Sequence, residues 1–208
     1  DAIIIMAIVH MNPFDIYGTM IAGAFGTSRK VWITLKELSL LLLISIALTP
    51  AYKMKFWNLG GEGQVLMGAW ATALCMLYLG DKLPGALLIL VMFIAAVLVG
   101  AVWAMIPAIF KAKWGTNETL FTLMMNYVAI QLIAYFIIKW EVPKGSGHVG
   151  IINQSTQAGW LPYVGANSYP LIVGLVILVT VGMHIYLKYS KHGYEISVVG
   201  ESVATARY

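Results

Sequence analysis

The stretch FWNLGGEGQVLMGAW, residues 56–70, sets three glycines (Gly60, Gly61 and Gly63), one carboxylate (Glu62) and two amides (Asn58 and Gln64) at the head of an apolar run. Its surroundings are apolar over the whole chain: 60% of the 208 residues are hydrophobic and only 11% are charged. The mean hydropathy is +0.82. A soluble globular domain carries about a quarter charged residues, so this composition belongs to an integral membrane protein. The apolar blocks approach the roughly 20 residues that a bilayer-crossing helix needs, and no run of alternating ~10-residue segments marks a membrane β-barrel. An all-α, polytopic transmembrane helical bundle follows, read as a single domain over residues 1–208.

The sequence predicts about six spans. An apolar run ending near Met11 reads as the outer half of a first helix, in a chain taken as a fragment truncated at both ends. A connecting segment covers 12–30, followed by spans at 31–54, 63–79, 83–110, 117–139 and 169–189. Pro50 marks a kink late in the first of these. A stretch rich in Gly, Ser, Asn and Gln, residues 140–168, is a loop on one membrane face. Lys53, Lys55, Lys111, Lys113, Lys188, Lys191 and Arg207 are assigned to the inner face, and Arg29, Lys30, Lys82, Lys139 and Lys144 to the outer one, following the bias of basic residues toward the cytoplasm.

Several functions are excluded. The formal net charge of +4 comes from basic residues scattered near the ends of apolar runs, where they act as interfacial anchors, and nucleic acid is not a partner. Cys75 is the only cysteine, so neither a disulfide framework nor a cysteine metal site is available. His10, His148, His184 and His192 lie far apart on different segments, and no metal or cofactor is expected. No Walker A or H-E-x-x-H pattern occurs, so there is no catalytic residue and any ATP hydrolysis belongs to another chain. GSGHVG, residues 145–150, spells a dinucleotide fingerprint without the strand and helix that fingerprint requires, and the acceptor patterns at Asn117 and Asn153 match by letters alone.

Polar residues gather in two places. Around Asn58, Glu62 and Gln64 the glycines break the helix near 58–64, as in a discontinuous helix whose backbone lines a polar cavity; a capped helix start, with Glu62 favoured by the helix dipole, accounts for the same residues. In GTNETLFTLMMNYVAIQ, residues 115–131, Thr119, Thr122 and Asn126 share one helical face, with Asn126 about 12 Å along the axis from Glu118. Either a neighbouring helix or a wet path must satisfy that amide. Ala96, Gly100, Ala104, Ala108 and Ala112 recur every fourth residue and form a smooth ridge for close helix packing.

These clusters carry a resemblance. WNLGGEGQVLMGAW resembles the N-I-G-x-E-G-Q signature of ABC-transporter inner-membrane permeases for nucleosides and simple sugars, a group related to the ribose and branched-chain amino-acid permeases. GTNETLFTLMMNYVA resembles their N-E-x-x-x-T-x-M-x-N-Y element, and YEISVVGESVATARY at the end of the chain resembles their cytoplasmic coupling helix, here near 194–208. Leu59, Ser197 and Thr205 depart from that pattern. The resemblance implies a membrane subunit of an ATP-driven importer in the bacterial inner membrane, with Asn58, Glu62, Gln64, Thr122 and Asn126 along the solute path. It implies Glu195, Gly200, Glu201, Ala204, Ala206 and Arg207 at the ATPase contact. Its implied partners are an ABC ATPase, a second permease that is homologous or identical, an extracytoplasmic solute-binding lipoprotein and the lipid bilayer. A gradient-driven secondary transporter with a broken-helix site remains the alternative.

Overall fold

The computed structural model of the chain describes residues 12–165 and 168–202. Among them no β-strand occurs, and seven helices follow in order: α1 (Pro13–Phe25), α2 (Ser28–Lys53), α3 (Gly61–Leu79), α4 (Gly85–Trp114), α5 (Glu118–Trp140), α6 (Tyr169–Tyr189) and α7 (Lys191–Glu201). Four of them, α2, α4, α5 and α6, are long and apolar enough to cross a membrane. The expected third span is α3, whose polar head Gly-Glu-Gly-Gln leaves the 19-residue helix with a short apolar stretch, so it does not join those four. The expected first span lies at residues 1–11, outside the described residues.

Contacts gather into two units, one of residues up to 47 with 162–190 and one of residues 48–161 with those from 191 on. In the first unit the structure corrects the expected connecting segment at 12–30, which is mostly helix. Asn12 caps α1 by accepting the amide N–H of Phe14 at 3.1 Å, and Pro13 occupies the first helical position, where its missing N–H would have no partner anyway. Asp15 adds a negative charge in the first turn. The turn into α2 is closed by Thr27, whose hydroxyl accepts from the Lys30 amide, while the Thr34 hydroxyl donates to Ala24 O at 3.0 Å.

The second unit holds the polar clusters. Its α3 packs on both α4 and α5. Small residues allow the approach to α4: a Cβ on Gly68 would lie 3.5 Å from the Ala96 carbonyl oxygen, and one on Gly100 would lie 3.7 Å from that of Gln64. Ala104 is half-buried, whereas Ala108 is exposed. Rings join the other pairs, with Trp70 of α3 4.8 Å from Phe136 of α5 and Phe110 of α4 4.9 Å from Phe121 of α5. The buried apolar core is small, while Phe93, Val97, Leu98 and Val102 of α4 are all more than half exposed. In water such a face would be a liability; in hydrocarbon it is the ordinary outer surface of a spanning helix.

Helix α2 ends in a Schellman motif. Phe56 N–H donates to Ala51 O at 2.9 Å and Lys55 N–H to Tyr52 O at 3.0 Å, which satisfies two of the last free carbonyls. The residue in the left-handed position, where glycine is usual, is Lys55 with φ 56°. A side chain in that region costs about 1 kcal/mol.

Candidate functional site

Between the end of α2 and the start of α3 the backbone leaves the helix for residues 54–60, and each backbone polar group there needs another partner. Helix α5 supplies two. Leu59 N–H donates to the Thr122 hydroxyl at 3.1 Å, and the Leu59 carbonyl accepts from Asn126 Nδ2 at 2.8 Å. The other end of the same amide, Asn126 Oδ1, accepts the N–H of Gly63 at 2.9 Å. One donating and one accepting partner fix the amide's orientation. Gly60, the N-cap of α3, has no side chain, so Asn126 caps the third position of α3 from a different helix.

The remaining groups are closed locally. Asn58 Oδ1 accepts from Gly60 N–H at 2.8 Å and from Gln64 Nε2 at 3.4 Å. The Asn58 carbonyl accepts from the Tyr52 hydroxyl at 3.1 Å, and the Gly60 carbonyl takes the Gln64 amide at 3.1 Å. The Thr122 hydroxyl donates back to Glu118 O at 2.7 Å. Thr122 is fully buried and Asn126 is 5% exposed. Their side chains therefore face a neighbouring chain segment, the first of the two readings open to them from sequence. A Cβ on Gly63 would lie 2.9 Å from Asn126 Oδ1 and 3.2 Å from Trp103 Nε1, so only glycine fits this approach. The Trp103 indole N–H, buried beside Gly63, has no hydrogen-bond partner.

Glu62 differs from its neighbours. It lies in the first turn of α3 and is exposed, between buried Gly61 and buried Gly63. The ion pairs among the described residues join Lys36 to Glu37, Lys111 to Glu118, and Lys191 and His192 to Glu195, so Glu62 is left to solvent or a ligand. Gln64, two residues on and half-buried, turns its amide to Asn58 instead. The exposed carboxylate thus sits on a backbone fixed from behind by Thr122 and Asn126. A nearby cavity of about 180 Å³, walled by Leu66, Trp70, Ile133, Phe136 and Trp140, is apolar.

The break in the helix falls at 54–60, with continuous helix from Gly61, slightly earlier than the expected 58–64. At the far end, α7 covers Lys191–Glu201 where a helix near 194–208 was expected. Glu195 is exposed and paired along its own helix with His192 at 3.1 Å. Gly200 is buried and Glu201 exposed, whereas Ala204, Ala206 and Arg207 lie outside the described residues. Among the described residues no group of three His, Cys, Asp or Glu could hold a metal. The letter matches resolve into structure: Asn117 caps α5 by accepting from Leu120 N–H at 3.1 Å. Asn153 Nδ2 donates to Met76 O at 2.9 Å. The glycines of GSGHVG wrap the Glu141 carboxylate, which accepts from the amides of Gly145 at 2.8 Å and Gly147 at 2.9 Å. Those two bonds, with a smaller pull from Lys144, hold the Glu141 carboxyl below the ordinary glutamate range.

Sequence reasoning missed Tyr52, Lys55, Trp103 and the Lys111–Glu118 ion pair at 2.7 Å. Only Lys111 and Glu118 left a signal, as opposite charges closing the turn between two apolar runs.

Fold and site together define a multi-pass α-helical membrane protein with a glycine-broken polar segment clamped between helices. Residues 31–208 match the branched-chain amino acid transport system permease component family, and the chain belongs to it. The chain is 30% identical over 96% of its length to the glucose ABC transporter permease protein TsgB13 of Haloferax volcanii, covering 54% of that protein. It is 28% identical over 99% of its length to the nucleoside ABC transporter permease protein NupB of Lactococcus lactis, covering 58% of it. With the guanosine ABC transporter permease protein NupP of Bacillus subtilis it shares 28% identity over 92% of its length and 55% of that protein. The chain thus spans a little over half the length of these relatives. No solved structure matches it.

Proposed function

We propose that this chain is part of the permease subunit of an ATP-driven importer for a nucleoside, a simple sugar or a similar small polar solute. The full protein works with a separate ABC ATPase, a second permease and an extracytoplasmic solute-binding lipoprotein, in the bacterial cytoplasmic membrane. Residues 1–208 form one permease domain of about six spans, in which α3 and the run at 1–11 join the four apolar helices. The loop at 141–168 faces outward and α7 faces the ATPase, with Glu195, Gly200, Glu201, Ala204, Ala206 and Arg207 at that contact.

The observation that carries this reading is the exposed Glu62 on a backbone fixed by Thr122 and Asn126. Solutes of this class offer hydroxyls and ring nitrogens without a fixed charge, which one carboxylate matches. Asn58, Gln64, Thr122 and Asn126 stand behind it along the path. The three relatives are all ABC permeases, which favours an ATP-driven carrier over a gradient-driven one. Full-length protein extracted in mild detergent is expected to bring down a Walker-type ATPase and a binding lipoprotein. Solute accumulation by the isolated permease on an ion gradient alone, without either partner, would contradict the proposal.

A further inference from the structure

Gly200 of α7 rests on the last carbonyl of α2. A Cβ there would collide with the Lys53 carbonyl oxygen and would lie 3.1 Å from the Lys53 carbonyl carbon and 3.7 Å from Met54 Cα. The contact is backbone on backbone, so neither side can yield by changing a rotamer. The segment beyond Lys53 is short and tightly held. Lys55 and Phe56 are bonded back onto the end of α2, Asn58 N–H donates to Phe56 O at 2.9 Å, and Tyr52 reaches forward to the Asn58 carbonyl at 3.1 Å. Leu59 is then gripped at both its N–H and its C=O by α5, and four residues later the Gly63 amide meets Asn126. The path from α7 to the turn carrying Glu62 thus runs from the Gly200–Lys53 backbone contact through the hydrogen bonds of Lys55, Phe56, Asn58, Leu59 and Gly63.

Two features suit this segment to carrying motion. A cavity of about 540 Å³ bordered by Met54, Lys55, Phe56, Gly200 and Glu201 lies beside it, leaving room for the segment to shift. Lys55 keeps a left-handed backbone at φ 56° where a glycine would sit without strain. A glycine there would also loosen the segment.

We propose that Gly200 and residues 53–60 form a strut that passes movement of α7 to the first turn of α3, making Gly200 and Lys55 positioning residues for Glu62. This rests on α7 being the contact with the ATPase. The test uses the full-length permease reconstituted with its ATPase in proteoliposomes, reading solute moved per ATP hydrolysed and the nucleotide response of a spin label at Val65→Cys on the exposed side of α3, in a Cys75→Ser background. Gly200→Ala, wherever it assembles with the ATPase, is expected to lower solute per ATP at least tenfold and to abolish the nucleotide response at position 65. Lys55→Gly is expected to insert and melt like the wild type while solute per ATP falls two- to fivefold. It keeps the experiment decisive if Gly200→Ala does not assemble. Wild-type coupling and a wild-type label response in Lys55→Gly, or in an assembled Gly200→Ala, overturn the strut alone. Wild-type permease that fails to bind the ATPase overturns the reading beneath it, and the strut with it.

Discussion

Two glycine-containing polar breaks interrupt this chain, at 54–60 and at 141–161, and they draw most of their partners from different places. The first borrows partners from a helix far away in sequence: Leu59 and Gly63 are bonded by Thr122 and Asn126. The second is held mostly by residues close in sequence. Glu141 accepts from Gly145 and Gly147, Asn153 Nδ2 donates to Ala158 O at 3.1 Å, and Trp160 Nε1 donates to Ile152 O at 3.1 Å. A break held by a distant helix is rigid only while that helix stays in register, so it can report helix movement. A break held mostly by its own side chains depends less on such movement; its tie to a distant helix is the bond from Asn153 Nδ2 to Met76 O. Composition alone makes the two segments look alike; the origin of their hydrogen-bond partners separates them.

The sharpest way to break this contrast is to remove the distant partner. Asn126→Ala leaves the buried Gly63 N–H without a partner, at about 1–3 kcal/mol, and also frees the part-buried Leu59 carbonyl. The full-length protein in detergent is expected to melt at a clearly lower temperature and to lose solute uptake. An unchanged melting temperature would mean that the amide bonds are dispensable. Thr122→Val removes the acceptor for Leu59 N–H together with the hydroxyl's own bond to Glu118 O, and a smaller loss of about 1–2 kcal/mol is expected. Thr122→Ser restores the acceptor and should recover most of it. Equal melting of the valine and serine variants would show that the hydroxyl contributes nothing.

The 141–161 break should respond to pH instead. The folded loop holds the Glu141 carboxyl below its ordinary range through the Gly145 and Gly147 amides, so the folded loop binds fewer protons than the opened one. Its contribution to loop order is present above the ordinary glutamate range and is lost as pH falls through the depressed value. Amide exchange at Gly145 and Gly147, corrected for the intrinsic pH dependence, is expected to lose protection on acidification and in Glu141→Gln at neutral pH. The helices should keep theirs. Protection that does not change with pH in the wild type would remove Glu141 from the account of this loop.

The same contrast explains what could be read from the sequence. Helices α2 to α6 are legible because each is an apolar run bounded by capping residues or charges, and the 169–189 span is matched residue for residue by α6. Helix α1 is not read from the sequence although Asn12, Pro13 and Asp15 form a helix-start signal, because its 13 residues are too few to mark a span. The glycine break and the Thr122–Asn126 face were visible separately. Their union was not, since nothing local says that an amide 63 residues away caps α3. Gly200 against Lys53 is equally invisible, being a contact of backbones. Trp103 stood in the apolar run of α4 without any mark that its ring borders Gly63.

The account depends most on the claim that the clamp presents the Glu62 carboxylate to the solute. Uptake by full-length Glu62→Gln, assembled with its ATPase and matched for membrane abundance, tests it. A cap at the helix start would lose at most the dipole contribution of about 1 kcal/mol, whereas a hydrogen bond from solute to a charged group is worth about 1.5–3 kcal/mol. The account predicts a fall in the transport constant of about tenfold or more, with an unchanged melting temperature. Wild-type uptake kinetics in Glu62→Gln would contradict it and return this turn to a structural role.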